Sequence, residues 1–270
     1  MSVKTNFDGY LGSLATFSPD DRTFATSQKR AVFIWNADDG TLAQEWQVGT
    51  WPYRVMFSTD GSRLLIGSWG TFSFYSFSAL WDVSKGTQIA KLEGHKSDTQ
   101  LDGASFSHDG RRIATVSLDG SARLWDGESG RLLDVLGQES AGLKLNDVVS
   151  DYRDQEMNSA FSRDDRFLAT TSLDGTTRIW DINHASLLVS IVSQGPLIEH
   201  LEFSPVDTNI LLTASHDGTA RLWDVDGILT TVLPHKSPPT FAVFSPDNLH
   251  LLTGGADATV HLGISLRVVK

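Results

Sequence analysis

The sequence predicts an all-β fold made from six copies of one four-stranded unit, and three recurring features predict it. The dipeptide Phe-Ser returns at Phe17, Phe57, Phe106, Phe161, Phe203 and Phe244, at intervals of 40, 49, 55, 42 and 41 residues. An Asp-Gly turn separates two apolar runs at Asp119-Gly120, Asp174-Gly175 and Asp217-Gly218, a strong local hairpin signal. Five of the eight tryptophans, Trp35, Trp81, Trp125, Trp180 and Trp223, then fall in one position of the unit. Self-similarity at about 40–45 residues marks a repeat architecture, so the repeats outrank the 270-residue length in counting domains.

Each unit opens with a strand, a, that ends in Phe-Ser and enters a turn such as Pro19-Asp20-Asp21, Thr59-Asp60-Gly61 or Pro246-Asp247-Asn248. Pro presets φ, and Asp, Asn and Gly tolerate the tight backbone that follows. Strand b is a short apolar run, as in Arg-Ile-Ala-Thr-Val-Ser from Arg112 or Ile-Leu-Leu-Thr-Ala-Ser from Ile210. Strand c ends in Trp-Asp at Trp81-Asp82, Trp125-Asp126, Trp180-Asp181 and Trp223-Asp224, with Trp35-Asn36 in the first copy. Strand d is weaker, as in residues 131–136. One domain, 1–270, is expected, with units at about 11–48, 51–93, 100–137, 156–193, 198–233 and 239–270.

Phe-Ser-Pro-Asp, then Ser-x-Asp-Gly, then Arg-Leu-Trp-Asp: this succession resembles the WD-repeat (WD40) family over about residues 11–263. The resemblance implies a WD40 β-propeller with six recognisable four-stranded blades. A closed six-bladed ring is favoured, with residues 1–10 as a closing strand, and an incomplete seven-bladed propeller is the alternative. Because both faces of a blade pack on neighbours, its strands should be apolar on both sides, and the slot tryptophans should be buried for roughly 2–3 kcal/mol each. The family also carries a buried polar set of Gly-His, a strand-b Ser or Thr, the turn Asp and the Trp. The full set is assembled only in the third copy, from Gly94-His95, Ser117 or Thr115, Asp119 and Trp125. Asp174 with Trp180, and Asp217 with Trp223, hold the same places in the next two copies.

The copies depart from one another in informative ways. The first has Gln28-Lys29-Arg30 in place of the Asp-Gly turn, and the sixth has Ala258 after Asp257 and Gly263 in its Trp slot. Phe57 to Trp81 is longer than its counterparts, the excess lying in the b–c hairpin within Trp69 to Phe77. A second insertion, about 137–156, separates the third and fourth copies. In the family, b–c and d–a connections emerge on one face, the top, and both insertions are expected there. Rigid aromatic rings are good binding anchors, so Trp69, Phe72, Phe74 and Tyr75 are candidate partner-binding residues. Leu118, Leu173 and His216, each just before the turn Asp, join them. For Phe72 to Phe77 the competing expectation is a hairpin whose rings pack on the adjacent blade.

Composition narrows the function classes. The net charge of −11 disfavours nucleic acid as a partner and suits a protein or peptide, basic in one version. With no cysteine, neither disulfides nor thiolate metal sites form. No phosphate-binding loop, metalloprotease or calcium-loop motif occurs, so no catalytic residue, metal or cofactor is expected. No apolar run is long enough for a membrane helix. The expectation is a non-enzymatic, cytoplasmic scaffold (a nuclear one being the variant) for protein–protein interaction, either a monomer or a subunit of a complex. The alternatives are a regulatory propeller piece of a larger signalling ATPase or kinase and, behind it, a propeller hydrolase.

Overall fold

The computed structural model describes residues 15–69, 76–95, 101–117, 119–137, 158–172, 175–192, 197–255 and 259–263, the side chains of 69, 76, 77, 101 and 102 excepted. Among them 23 strands form six sheets, and there is no helix. Sheet one is β1 (Ala15–Phe17), β2 (Thr23–Gln28), β3 (Ala31–Asn36) and β4 (Leu42–Gln47). Sheet two is β5 (Trp51–Phe57), β6 (Arg63–Trp69), β7 (Ser76–Asp82) and β8 (Thr87–Leu92). Sheet three is β9 (Leu101–Phe106), β10 (Arg112–Ser117), β11 (Ala122–Asp126) and β12 (Leu132–Leu136). Sheet four is β13 (Ser159–Phe161), β14 (Phe167–Thr171), β15 (Thr176–Asp181) and β16 (Ser186–Val192). Sheet five is β17 (Ile198–Phe203), β18 (Ile210–Ser215), β19 (Thr219–Asp224) and β20 (Leu229–Pro234). Sheet six has three strands among the described residues, β21 (Pro239–Phe244), β22 (Leu251–Gly255) and β23 (Val260–Gly263). In every sheet the strands neighbour one another in chain order.

The Phe-Ser-x-Asp motif closes the a–b turn by a small hydrogen-bonded ring. Ser18 Oγ donates to Asp20 Oδ1 at 2.6 Å and accepts the Thr23 N–H at 3.0 Å. Ser58 with Asp60, Ser162 with Asp164 and Ser245 with Asp247 repeat the arrangement at 2.6, 2.7 and 2.5 Å. A carboxylate that accepts these bonds favours its ionised form. Hydrogen bonds from Ser18, Ser58 and Ser245 are accordingly the leading reason that Asp20, Asp60 and Asp247 titrate below the ordinary 3.8. The Asp of Trp-Asp does the same work in the c–d turn. Asp82, Asp126 and Asp181 accept the N–H groups of Lys85, Ser129 and Asn183 at 3.0, 2.8 and 3.0 Å.

The slot tryptophans owe their position to a bulge. In sheets one, two, four and five the c–d register shifts immediately before Trp35, Trp81, Trp180 and Trp223. One extra residue re-aims the side chains that follow it, and Trp81, Trp180 and Trp223 are buried. In sheet six Leu251 pairs with Gly263, as Leu211 pairs with Trp223 in sheet five, so a glycine occupies the tryptophan place.

The strands group into two compact units. One holds sheets one and two with Asp109–Ile113 and Trp125–Leu133 of sheet three; the other holds the rest of sheet three and sheets four to six. In the first unit a single core joins Val32, Ile34 and Trp46 to Val55, Leu64, Ile66 and Trp81, with the Trp46 and Trp81 rings stacked at 5.9 Å. In the second, Val116 and Leu124 pack with Phe161, Leu168 and Trp180; Ile179 and Ile191 pack with Leu201 and Phe203; Leu212 and Leu222 pack with Phe244 and Leu251. Each core lies between successive sheets, which is why β14 is buried along its whole length instead of alternating. Polar bridges join neighbours as well. The His108 N–H donates to Asp165 Oδ1 at 2.7 Å, and Ser204 Oγ donates to Asn248 Oδ1 at 2.9 Å. The fourth strands β12, β16 and β20 keep most residues exposed.

Candidate functional site

Polar groups inside the sheets are largely occupied by the fold. The indole N–H of Trp35 donates to Thr26 at 2.9 Å, and those of Trp180 and Trp223 donate to Thr170 and Thr213 at 3.0 Å each. The strand-b Ser does a different job. Ser215 Oγ accepts the Asp217 N–H at 3.2 Å, while Asp217 Oδ1 accepts the Thr219 N–H at 3.0 Å and its hydroxyl at 2.7 Å. Ser117, Asp119 and Ser121 reproduce that turn in sheet three at 3.3, 2.9 and 2.7 Å. The choice between Ser117 and Thr115 thus divides into two roles: Ser117 holds the turn, and Thr115 occupies the place that Thr213 has in sheet five. Asp119, Ser117 and Trp125 are buried and His95 is half-buried.

The b–c ends of the sheets carry the remaining candidates. In sheet five the His216 N–H donates to Leu197 O at 2.9 Å, and its half-exposed ring lies 3.3 Å from the Glu199 carboxylate. Asp217 also receives Arg221 Nη1 at 2.6 Å. Burial raises the Asp217 pKa, but the bonds from Thr219 and Arg221 outweigh it and hold the group below 3.8. Trp69 ends β6, its backbone paired with Trp51 on one side and Ser76 on the other. Part of the sequence excess in this hairpin therefore lengthens the ladder. The side chain of Trp69, together with Phe72, Phe74, Tyr75, Leu118, Leu173 and Asp174, lies outside the described residues.

Three residues beyond the expected set stand at the b–c ends of sheets one and two. Gln28 pairs with Ala31, so Lys29 and Arg30 alone make the turn, and Lys29 takes a left-handed φ of 53°. The Arg30 carbonyl accepts the Val48 N–H at 2.9 Å, and its guanidinium lies 5.6 Å from the centre of the Trp51 ring. An exposed cation–π pair of this kind contributes about 0.5–1 kcal/mol. Trp51 is 37% exposed, the only exposed tryptophan among those with described side chains. A register shift between Pro52 and Arg54 places a bulge beside it at Tyr53. The available signal was a tryptophan outside the repeat slot, next to the copy whose b–c turn departs from Asp-Gly. Among the described residues, no cluster of three or more His, Asp or Glu side chains has the grouping to hold a metal ion.

The model of the WD domain, G-beta repeat family matches residues 86–126, 155–181, 188–224 and 227–262, together about half of the sequence. The chain belongs to the WD40 family. Its all-β sheets have the WD40 β-propeller fold. It is 27% identical over 204 residues to eukaryotic translation initiation factor 3 subunit I of Neosartorya fischeri and 26% identical to that of Aspergillus fumigatus. Each match covers 71% of this chain and 57% of the relative, so the chain spans little more than half the length of these curated proteins. Among solved structures, a chain in the crystal structure of the mitotic checkpoint complex superposes with a TM-score of 0.70 at 20% identity, over 94% of this chain and 76% of that one. The computationally designed Ika8 protein gives 0.73 at 22% identity, over 96% and 73%.

Proposed function

We propose that this WD40 chain is a non-enzymatic scaffold, a subunit of a protein complex that meets its partners through the b–c ends of its sheets. The observation that carries the reading is the Arg30–Trp51 pair: an exposed tryptophan at a b–c end, in a fold that buries four of its five slot tryptophans and half-buries Trp35. Trp and Arg dominate the energetics of protein interfaces because they bury much area from few side chains. Support of another kind comes from the relatives, whose name makes each a subunit of translation initiation factor 3. A complex of the translation machinery in the cytoplasm is the setting that name suggests for this chain.

The candidate surface comprises Trp69, Phe72, Phe74, Tyr75, Leu118, Leu173 and His216, to which Trp51 is added. A basic partner is the reading that the net charge of −11 suggests. It has weaker local support at sheet five, where Glu199 is paired with His216 and Asp217 with Arg221. Affinity purification with the wild type and the folded variants Trp69→Ala and Leu173→Asp tests the reading. Loss of at least one partner from either variant is expected. Retention of every partner by both would end the assignment to these ends.

A further inference from the structure

We infer that sheet six of one copy of this chain docks on sheet one of a second copy, through two apolar sheet faces that the chain leaves uncovered. The inference goes beyond the proposed function and makes no use of the b–c ends. It starts from a row of three places that repeats across the sheets. Phe57 pairs with Leu64 and Leu64 with Trp81; Phe203, Leu211 and Trp223 form the same row in sheet five. Cross-strand partners share one face of a sheet. Each row is buried against the sheet before it, the first on Val32 and Ile34 of sheet one, the second on Ala169 and Ile179 of sheet four. In sheet one the row is Phe17, Phe24 and Trp35, and it stays open. Phe17 is 63% exposed, whereas Phe57, Phe161, Phe203 and Phe244 are buried and Phe106 is half-buried. Phe24 and Trp35 are half-buried. The three rings touch, at 5.6 and 6.2 Å between centres, and Phe33 adds a fourth 6.1 Å from Trp35. The Trp35 N–H is already taken by Thr26, so the face calls for apolar cover and not for an acceptor.

At the filled junctions such a row is covered by an apolar face of strands b and c. In sheet five that face is Leu212 paired with Leu222 and Ala214 paired with Ala220, packed on Phe244 and Leu251 of sheet six. Sheet six repeats it as Leu252 paired with Leu262 and Gly254 paired with Val260. Successive residues of a strand point to opposite faces, so this set lies on the side of sheet six away from Leu251 and sheet five. Leu262 is 73% exposed, and Leu252 and Val260 are exposed with it. The chain thus carries both halves of one more junction, each with the residue types of the filled ones and each open. A second copy supplies the matching half to either face. Contiguous exposed apolar surface of this kind marks a site of association. The contact is head-to-tail, with different surfaces on the two copies, so it closes a ring of copies or extends. Copies that each carry a net charge of −11 repel one another, and apolar burial has to hold them. Salt that screens the repulsion should therefore strengthen the association.

Sedimentation equilibrium of the full chain between about 1 and 100 μM tests the inference. The weight-average mass is expected to rise with concentration to twice that of one chain or more, and to rise further with added salt. Phe17→Asp disables one face and Leu262→Asp the other, so each variant alone should sediment as a monomer. Mixed in equal amounts, the two should form a species of two copies and no larger, because each keeps the face that the other has lost. A wild type that stays monomeric throughout would overturn the inference. If Phe17→Asp then lowers the unfolding midpoint, the chain's own sheet six is the cover; if it does not, the face belongs to a different protein. Variants that associate as the wild type does, or a mixture that stays monomeric, would overturn it equally. Loss of partners from Trp69→Ala or Leu173→Asp is read separately, so failure here leaves the scaffold reading standing.

Discussion

At the scale of single residues, the tryptophan slot separates shape from hydrogen bonding. Trp180 and Trp223 each give their N–H to a strand-b threonine, whereas Trp81 Nε1 has no partner among the described residues. The cause is local: β6 places Ile66 where the other strands place threonine, since Leu64 pairs with Trp81 as Leu168 pairs with Trp180. A buried donor left without an acceptor costs about 1–3 kcal/mol. Thr170→Val and Thr213→Val should therefore each destabilise the chain by about 1–3 kcal/mol in urea unfolding. Trp81→Phe should cost about 1 kcal/mol less than Trp180→Phe, because only the second removes a bond and strands a hydroxyl. Equal losses would mean that the slot works through packing alone.

At the scale of the element, the sheets differ most in their fourth strands. β14 and β18 are buried over nearly their whole length, while β12, β16 and β20 expose most residues. Local opening follows buried apolar contact, so hydrogen exchange should be slowest in β14 and β18 and measurably faster in β16 and β20. Uniform protection across a sheet would contradict this. Gly127 illustrates a second local constraint. A Cβ there would stand 2.1 Å from the Gly110 carbonyl oxygen, and the Gly127 N–H already bonds Arg111 O at 2.7 Å. Gly127→Ala should cost about 1–3 kcal/mol by overpacking, read as a lowered melting temperature. These elements also show what a sequence discloses. The a–b turns and tryptophan slots were legible because they recur with fixed residue types. The bulges before Trp35, Trp81, Trp180 and Trp223 were not, since a bulge alters register without altering composition. The Thr170–Trp180 bond needed the hairpin register to be seen. Arg30 and Trp51 meet across two successive sheets, a contact no spacing rule encodes. Trp69, by contrast, was legible as a residue of a b–c end, and the structure adds Trp51 as its backbone partner.

At the scale of the whole molecule, the repeated turns make one electrostatic property collective. Asp20, Asp60 and Asp247 in a–b turns, and Asp39, Asp82 and Asp126 in c–d turns, all titrate below 3.8, each led by a Ser or Thr hydroxyl bond. A carboxyl whose folded value lies below its unfolded one stabilises the fold fully above the unfolded value. That contribution disappears as pH falls through the folded value, because the unfolded chain binds protons first. The stabilisation is thus complete well above 3.8 and is lost progressively below it. Because the motif recurs around successive sheets, the small terms share one sign and one pH window. The denaturant midpoint should fall as pH drops below 3.8, and combined Ser18→Ala, Ser58→Ala and Ser245→Ala should flatten that fall while lowering the midpoint at neutral pH. Parallel midpoint curves for the wild type and the triple variant across that window would show that the turn hydroxyls do not set the acid sensitivity.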